Sequence, residues 1–295
     1  WAALALRSVA ARLDSERWIA GGGESDREDG ARAEASRATR FAIVTVLVVF
    51  VVGGWLQARA LVPGLVATLA GILPLMAWLL ARGTKTARER GRFAALGLVA
   101  PRALHVLAAI ALAPALSLAI RRLLEWQQGV LPIPGSLEQS LSGIESLLAL
   151  PFAAQFALFA LLPGVGEELF FRGALLGAQR RRGGVLRIVL LQALFFGLAH
   201  ALVFRFLPTA CVGAVLALVT LRARSVLPAM ALHVGYNALQ LPSVAEGLPW
   251  LQDSAAAQGA RLAAWAVAAG ALIALAAIPG PDSGAPQVPT QDGTG

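Results

Sequence analysis

Three polar insertions interrupt an otherwise apolar chain, and their residue types are those of proton transfer and oxyanion binding. The first is Pro163-Gly164-Val165-Gly166-Glu167-Glu168-Leu169-Phe170-Phe171-Arg172. The second is Phe196-Gly197-Leu198-Ala199-His200, and the third is His233-Val234-Gly235-Tyr236-Asn237. A charge in hydrocarbon is unfavourable by at least about 2.5–3.5 kcal/mol on insertion scales, so ionisable residues that persist there mark function or a compensating partner. On a helix Glu168 and Arg172 are i,i+4 and share a face, which pairs them. Glu167 is rotated about 100° away and has no local partner. It is therefore the carboxylate available to accept and return a proton. His233 and Asn237 are also i,i+4 on one face. A carboxylate, two imidazoles and an amide together supply an activated water, a proton carrier and donors for a developing oxyanion, which is what peptide hydrolysis needs.

Spacing along each apolar run suggests that these groups meet. Counted from the basic residue at one end of its run, Glu167 lies thirteen residues from Arg180, His200 thirteen from Arg187, and Asn237 thirteen from Arg224. That is roughly 19 Å of helix in each case, with His233 one turn nearer the basic end. The expectation is one polar cavity lined by three helices distant in sequence. Glu168 with Arg172 is read as a structural ion pair with a supporting role. Among residues outside the three insertions, His105 at the mouth of a span is expected to be interfacial, Trp55, Trp78, Trp126 and Trp250 to be interfacial anchors, and Gln155 and Gln192 to bond between helices.

The elements that must position these residues follow from composition. The 295 residues are 57% hydrophobic and 14% charged, too apolar for a soluble domain. Candidate spans, apolar runs long enough to cross about 30 Å of hydrocarbon, recur at Phe41–Ala58, Ala60–Ala81, Ala103–Ile120, Ser146–Gln179, Ile188–Phe204, Phe206–Leu221, Ser225–Leu241 and Leu262–Ile278, the fourth interrupted by Glu167, Glu168 and Arg172. The expected fold is all-α: a polytopic transmembrane helix bundle of about eight spans over residues 41–279. Residues 1–40, with seven Arg and seven acidic residues, read as a cytoplasmic amphipathic segment and linker, and 280–295 as a disordered tail. The chain opens on Trp1 rather than Met, which reads as a piece of something longer. The lone Cys211 excludes a disulfide scaffold.

A net charge of +8 could suggest nucleic acid, but 24 of the 25 basic residues are Arg, and beyond residue 40 they sit chiefly between apolar runs. The positive-inside rule accounts for them, with both termini cytoplasmic and no nucleic-acid partner. Arg82, Lys85, Arg88, Arg90, Arg92 and Arg102, then Arg180, Arg181, Arg182 and Arg187, then Arg222 and Arg224 fall on the inner side. Arg59, Arg121, Arg122, Arg205 and Arg261 fall on the outer side.

In the order Glu167-Glu168…Arg172, Phe196…His200 and His233…Asn237, the chain resembles the CPBP intramembrane proteases. That group comprises the type II CAAX prenyl endopeptidases together with the bacterial Abi and bacteriocin self-immunity proteins. The resemblance covers residues 146–241, which would be the protease core. It implies that Glu167 and His200 activate the attacking water, that His233 and Asn237 steady the oxyanion, and that Glu168, Arg172 and Phe196 support them. It also implies a membrane-associated protein or peptide substrate met within the lipid bilayer. Signatures of other intramembrane proteases, HExxH, GxGD and GxSxG, are absent. Family members are often named metalloproteases, and Glu167, His200 and His233 are the candidate zinc ligands. The metal-free, glutamate-activated water is favoured, because Asn237 rather than a further His or Asp completes the set. A different class of function, a membrane partner that binds without cleaving, as a transporter-associated or immunity protein would, uses the same residues structurally. The Arg-rich, Ala/Leu-rich composition points to a bacterial inner membrane.

Topology is directly testable. Reporter fusions placed after Arg92 and after Arg182 are both expected to read cytoplasmic, and a periplasmic reading from either overturns the inside assignment.

Overall fold

The computed structural model describes residues 26–132, 147, 149–180, 184–200, 203–248 and 258–277. Trp250, residues 1–25 and the tail 280–295 lie outside them. Among the described residues the structure is all-helical, with no strand. Its principal helices are α1 (Gly30–Arg59), α2 (Leu61–Arg82), α3 (Ala103–Val130), α4 (Phe152–Gln179), α5 (Val185–Ala199), α6 (Val203–Ala223), α7 (Leu227–Ala238) and α8 (Gln258–Ala277). The chain is a polytopic membrane-type bundle.

Six of these helices, α1 to α4, α6 and α8, are long and apolar enough to cross a membrane. The other two expected spans form shorter helices. The 15 residues of α5 and the 12 of α7 rise only about 22 and 18 Å, less than the hydrocarbon thickness. The break after α5 also differs from expectation. The helix ends at Ala199, His200 caps it, and Arg205 falls inside α6 rather than between two spans. One Arg in the first turn of a helix can remain solvent-facing, as this exposed residue does, so it need not mark a boundary.

α4 is the helix against which the others are arranged. Its Leu162–Glu168 stretch packs on α7, while Leu169–Leu175 packs on the last half of α2; α3 carries α7 and α8 on its surface, and α5 pairs with α6. Two glycines beside the polar insertion make the close approaches possible. A Cβ at Gly166 would run into the Leu69 carbonyl of α2, and one at Gly164 into Val234 of α7. Sequence alone suggests that Pro163 and these glycines loosen α4, whereas in the fold they are contact points that let three helices touch. The missing N–H of Pro163 falls just after a π-helical turn, Ala157–Leu161, where the backbone already departs from i→i−4 pairing. A second π turn, Leu169–Leu175, lies between Glu167 and Arg180, so a residue count there is not a direct measure of depth.

Peripheral residues follow the membrane reading. Trp55, Trp78 and Trp126 face outward, with Arg59 over the Trp55 ring and Arg82 and Arg92 over Trp78, each at 5.1–5.2 Å for those two rings. Gln192 donates to Gln179 at 3.1 Å, joining α5 to α4. Gln155 donates to the Leu150 carbonyl just before its own helix. His105 is fully buried in the first turn of α3 rather than interfacial, because neighbouring elements cover that turn.

The basic connections converge at one end of the bundle. There the α2–α3 connection, the end of α4 at Arg180 and the end of α6 at Arg224 enclose a common cavity. The start of α1 joins them, with Glu34 accepting from the Lys85 backbone N–H and Arg37 donating to the Gly83 carbonyl.

The packing at α4 yields a paired expectation. Gly166→Ala should lower stability by about 1–3 kcal/mol through overpacking against backbone that cannot swing aside. Gly270→Ala, where nothing lies within 4 Å of the added Cβ, should be neutral or slightly stabilising. Thermal unfolding of the detergent-solubilised variants measures both, and equal effects would refute the close-contact account.

Candidate active site

The site is built around a buried ion pair on α4. Glu168 and Arg172 are i,i+4, and Arg172 Nη1 donates to Glu168 Oε1 at 2.8 Å with both side chains sealed from solvent. Arg172 Nη2 donates to the Gly213 carbonyl of α6 at 2.9 Å. His233, on α7, places Nδ1 2.9 Å from the same Glu168 Oε1. A single carboxylate oxygen thus ties α4 to α7, and its partner Arg172 ties α4 to α6. Charges taken into an apolar interior lose several kcal/mol of hydration each, and only such multiple pairing offsets the loss.

Phe196 occupies the space between these groups. Its ring is 4.3 Å from the Arg172 guanidinium, 4.9 Å from the His200 ring, 5.7 Å from His233 and 5.3 Å from Phe171. A ring face attracts the guanidinium, and ring edges pack against the imidazoles. The FxxxH spacing therefore has a physical content. One turn of α5 sets Phe196 beneath His200, and the Phe196 carbonyl accepts a hydrogen bond from His200 Nδ1 at 2.8 Å. A carbonyl can only accept, so that contact puts the proton on Nδ1 and leaves Nε2 as the free nitrogen of His200. His233, held through Nδ1 by Glu168, likewise has Nε2 available.

Glu167 is half-buried on a different face of α4 from Glu168, as the helical rotation requires. Its Oε2 is buried without a hydrogen-bond partner among the described residues. Glu168 Oε2 shares that condition, but the Glu168 carboxylate is compensated by Arg172, and Glu167 has no ion-pair partner there. Asn237 lies one turn beyond His233 on α7, half-buried, and its side chain bonds to none of the described residues. The fold brings Glu168, Arg172, Phe196, His200 and His233 into one contact cluster. Glu167 and Asn237 flank that cluster on α4 and α7 without hydrogen-bonding into it.

Two members of the site carried no signal in their own residue type. Phe171 reads as one more apolar residue, and Gly213 contributes only a carbonyl. The sole hint at Gly213 is its glycine, where a Cβ would press on Phe196 from 2.9 Å. Among the described residues no three His, Cys, Asp or Glu side chains group closely enough to hold a metal ion, Glu167, His200 and His233 included. Both imidazoles use Nδ1 on protein acceptors and leave Nε2 open.

The double role of Glu168 sharpens the expectation for its removal. Glu168→Gln leaves Arg172 without its counter-charge and His233 without a carboxylate acceptor, so stability should fall by about 3–5 kcal/mol, as for other broken buried pairs. Glu167→Gln should change it by less than about 1 kcal/mol. Melting temperatures of the two purified variants decide this, and a larger loss for Glu167→Gln would reverse the assignment.

Residues 149–239 match the family described as Type II CAAX prenyl endopeptidase Rce1-like. No curated protein and no solved structure matches the chain. The matched span runs from just before α4 to just after α7, so it contains all three motifs and every helix that contributes to the buried cluster. With the ordered Glu-Glu/Arg, Phe/His and His/Asn motifs on the helices that meet there, residues 149–239 are similar to the Rce1-like type II CAAX prenyl endopeptidases, a match consistent with a CPBP-family intramembrane protease.

Proposed function

We propose that this protein hydrolyses a peptide bond of a membrane-associated substrate, using a water activated by Glu167 with His200. The observation that carries the reading is the division between two adjacent carboxylates. Glu168 is fully buried and committed to Arg172 and His233, while Glu167 keeps a buried oxygen with no donor. A carboxylate in that condition accepts a proton from water as the oxygen attacks the scissile carbonyl. His200, with its ring held by the Phe196 carbonyl, accepts a hydrogen bond from the same water at its free Nε2 and orients it, and Glu167 then returns the proton to the departing amine as the peptide C–N bond breaks.

The oxyanion that develops on the substrate needs donors already in position. The Asn237 amide offers an N–H. His233, when it carries a proton on each nitrogen, rests one N–H on Glu168 and directs the other at the substrate. In this scheme Glu168 and Arg172 are positioning residues, since they act through His233 and through the orientation of α4. Their part resembles that of the carboxylate that orients a catalytic imidazole in a triad, where it sets tautomer and angle without touching substrate.

Activity measurements on purified protein in bilayers, with fluorogenic membrane-anchored peptides, test the reading. Glu167→Gln and His200→Ala should each abolish cleavage with the fold intact. Asn237→Ala should retain a residue of activity about 10²–10³-fold lower, the usual effect of removing one oxyanion donor. If Glu167→Gln cleaves normally, hydrolysis by this carboxylate is refuted. If the wild type cleaves no substrate while Glu167→Gln preserves its cellular effect, the non-catalytic membrane partner replaces the protease.

A further inference from the structure

The cavity at the basic end of the bundle shares only Arg172 with the proposed hydrolytic site. It measures about 30 Å³, and its polar lining residues are Arg172, Arg180, Arg224, Thr220 and Ser225 together with Thr86 of the α2–α3 connection. At roughly 10–15 Å³ for each water-sized group, that volume admits two or three oxygen atoms. Glu167, His200, His233 and Asn237 do not line it, and neither does any acidic side chain among the described residues.

Its charged groups are all guanidinium donors. Arg224 is exposed, has no hydrogen-bond or ion-pair partner among the described residues, and adopts φ 53°, a left-handed conformation that a residue with a side chain rarely takes. Arg180 is also exposed and contributes a second positive charge. Thr220 and Ser225 direct their hydroxyl protons to the Leu216 and Val99 carbonyls. Arg172 is 1% exposed, and although both its Nη atoms are bonded, its Nε–H is buried with no acceptor among the described residues. A sealed donor of this kind, in a cavity bordered by two further guanidinium groups and by no acidic side chain among the described residues, suits an acceptor of negative charge.

We infer that this cavity binds a phosphate group, with Arg180 and Arg224 clamping its oxygens at the mouth and Arg172 Nε donating from within. Guanidinium groups bind the planar edges of phosphate through paired N–H donors, and several together suit a doubly charged monoester. Trp78, stacked by Arg82 and Arg92, lies on the helix leading into the α2–α3 connection and marks this end as interfacial, where phosphate is found both on lipid headgroups and free in solution.

The experiment uses the full chain in nanodiscs and follows thermal unfolding by tryptophan fluorescence. One arm titrates inorganic phosphate against neutral phosphatidylcholine discs at constant ionic strength. The other replaces part of the phosphatidylcholine with phosphatidic acid. Saturable stabilisation in the first arm identifies free phosphate, and stabilisation confined to the second identifies a lipid headgroup. In either case Arg180→Gln/Arg224→Gln should weaken the apparent affinity by about tenfold or more. Arg224→Gly, which relieves the left-handed backbone while removing the charge, should also weaken it and guards against a folding defect in the double variant. No response of the wild type to either probe, or an undiminished response in the variants, overturns the site. These readouts do not depend on proteolysis.

Discussion

A carboxylate and a guanidinium sealed inside an apolar bundle can persist only if their partners are held in place, and this constraint organises the protein. Glu168 and Arg172 lie one turn apart on α4, so their mutual bond is local, but it does not satisfy them. Arg172 takes the Gly213 carbonyl from α6 and the Phe196 ring face from α5, and Glu168 takes His233 from α7. Four helices are thereby bound to one pair of charges. Each added partner offsets part of the hydration lost on burial, and loss of any one leaves a charge or a donor stranded in low dielectric.

The same constraint governs the chemistry. Fixing Glu168 against α7 fixes the rotation of α4, and the 100° step between neighbouring residues then turns Glu167 toward a separate face. Two identical functional groups, adjacent in the chain, acquire different roles through that rotation alone. The imidazoles are treated in parallel. Each has Nδ1 engaged, one by a backbone carbonyl and the other by a carboxylate, so that both present the distal nitrogen. Phe196 contacts both rings and the guanidinium, and its replacement by a smaller side chain would open space beside all three.

The close approach of helices around α4 rests on small residues rather than on a hydrophobic force, since lipid tails are as apolar as the side chains they would replace. Gly164, Gly166 and Gly173 bring α4 backbone against α7, α2 and the Leu96 carbonyl, and hydrogen bonds from buried glutamines add fixed points. The π turns of α4 lie on either side of the Pro163–Glu168 segment, the pattern in which a helix yields locally to place functional side chains.

The sequence by itself determined that the chain is a membrane-type helical bundle, because uncharged runs of span length have no other stable solution. It also determined that Glu168 pairs with Arg172, because i,i+4 geometry is local. The three motifs were legible as well, since a polar residue in an apolar run is costly enough to stand out and their order matches one family. What only the tertiary structure decided is everything that depends on which helix faces which. Equal residue counts from the basic ends suggested a cluster of Glu167, His200, His233 and Asn237, and they gave no sign that a hydrogen bond from His233 to Glu168 joins α7 to α4. No spacing within one helix can reveal a bond to another. The same limit hid the Gly213 carbonyl, whose residue type carries no chemistry, and the full burial of His105. It also hid the shortness of α5, where the apolar composition continues past Ala199 but the helix ends there. Helical periodicity fixes the direction of a side chain relative to its own axis, and only packing fixes that axis relative to its neighbours.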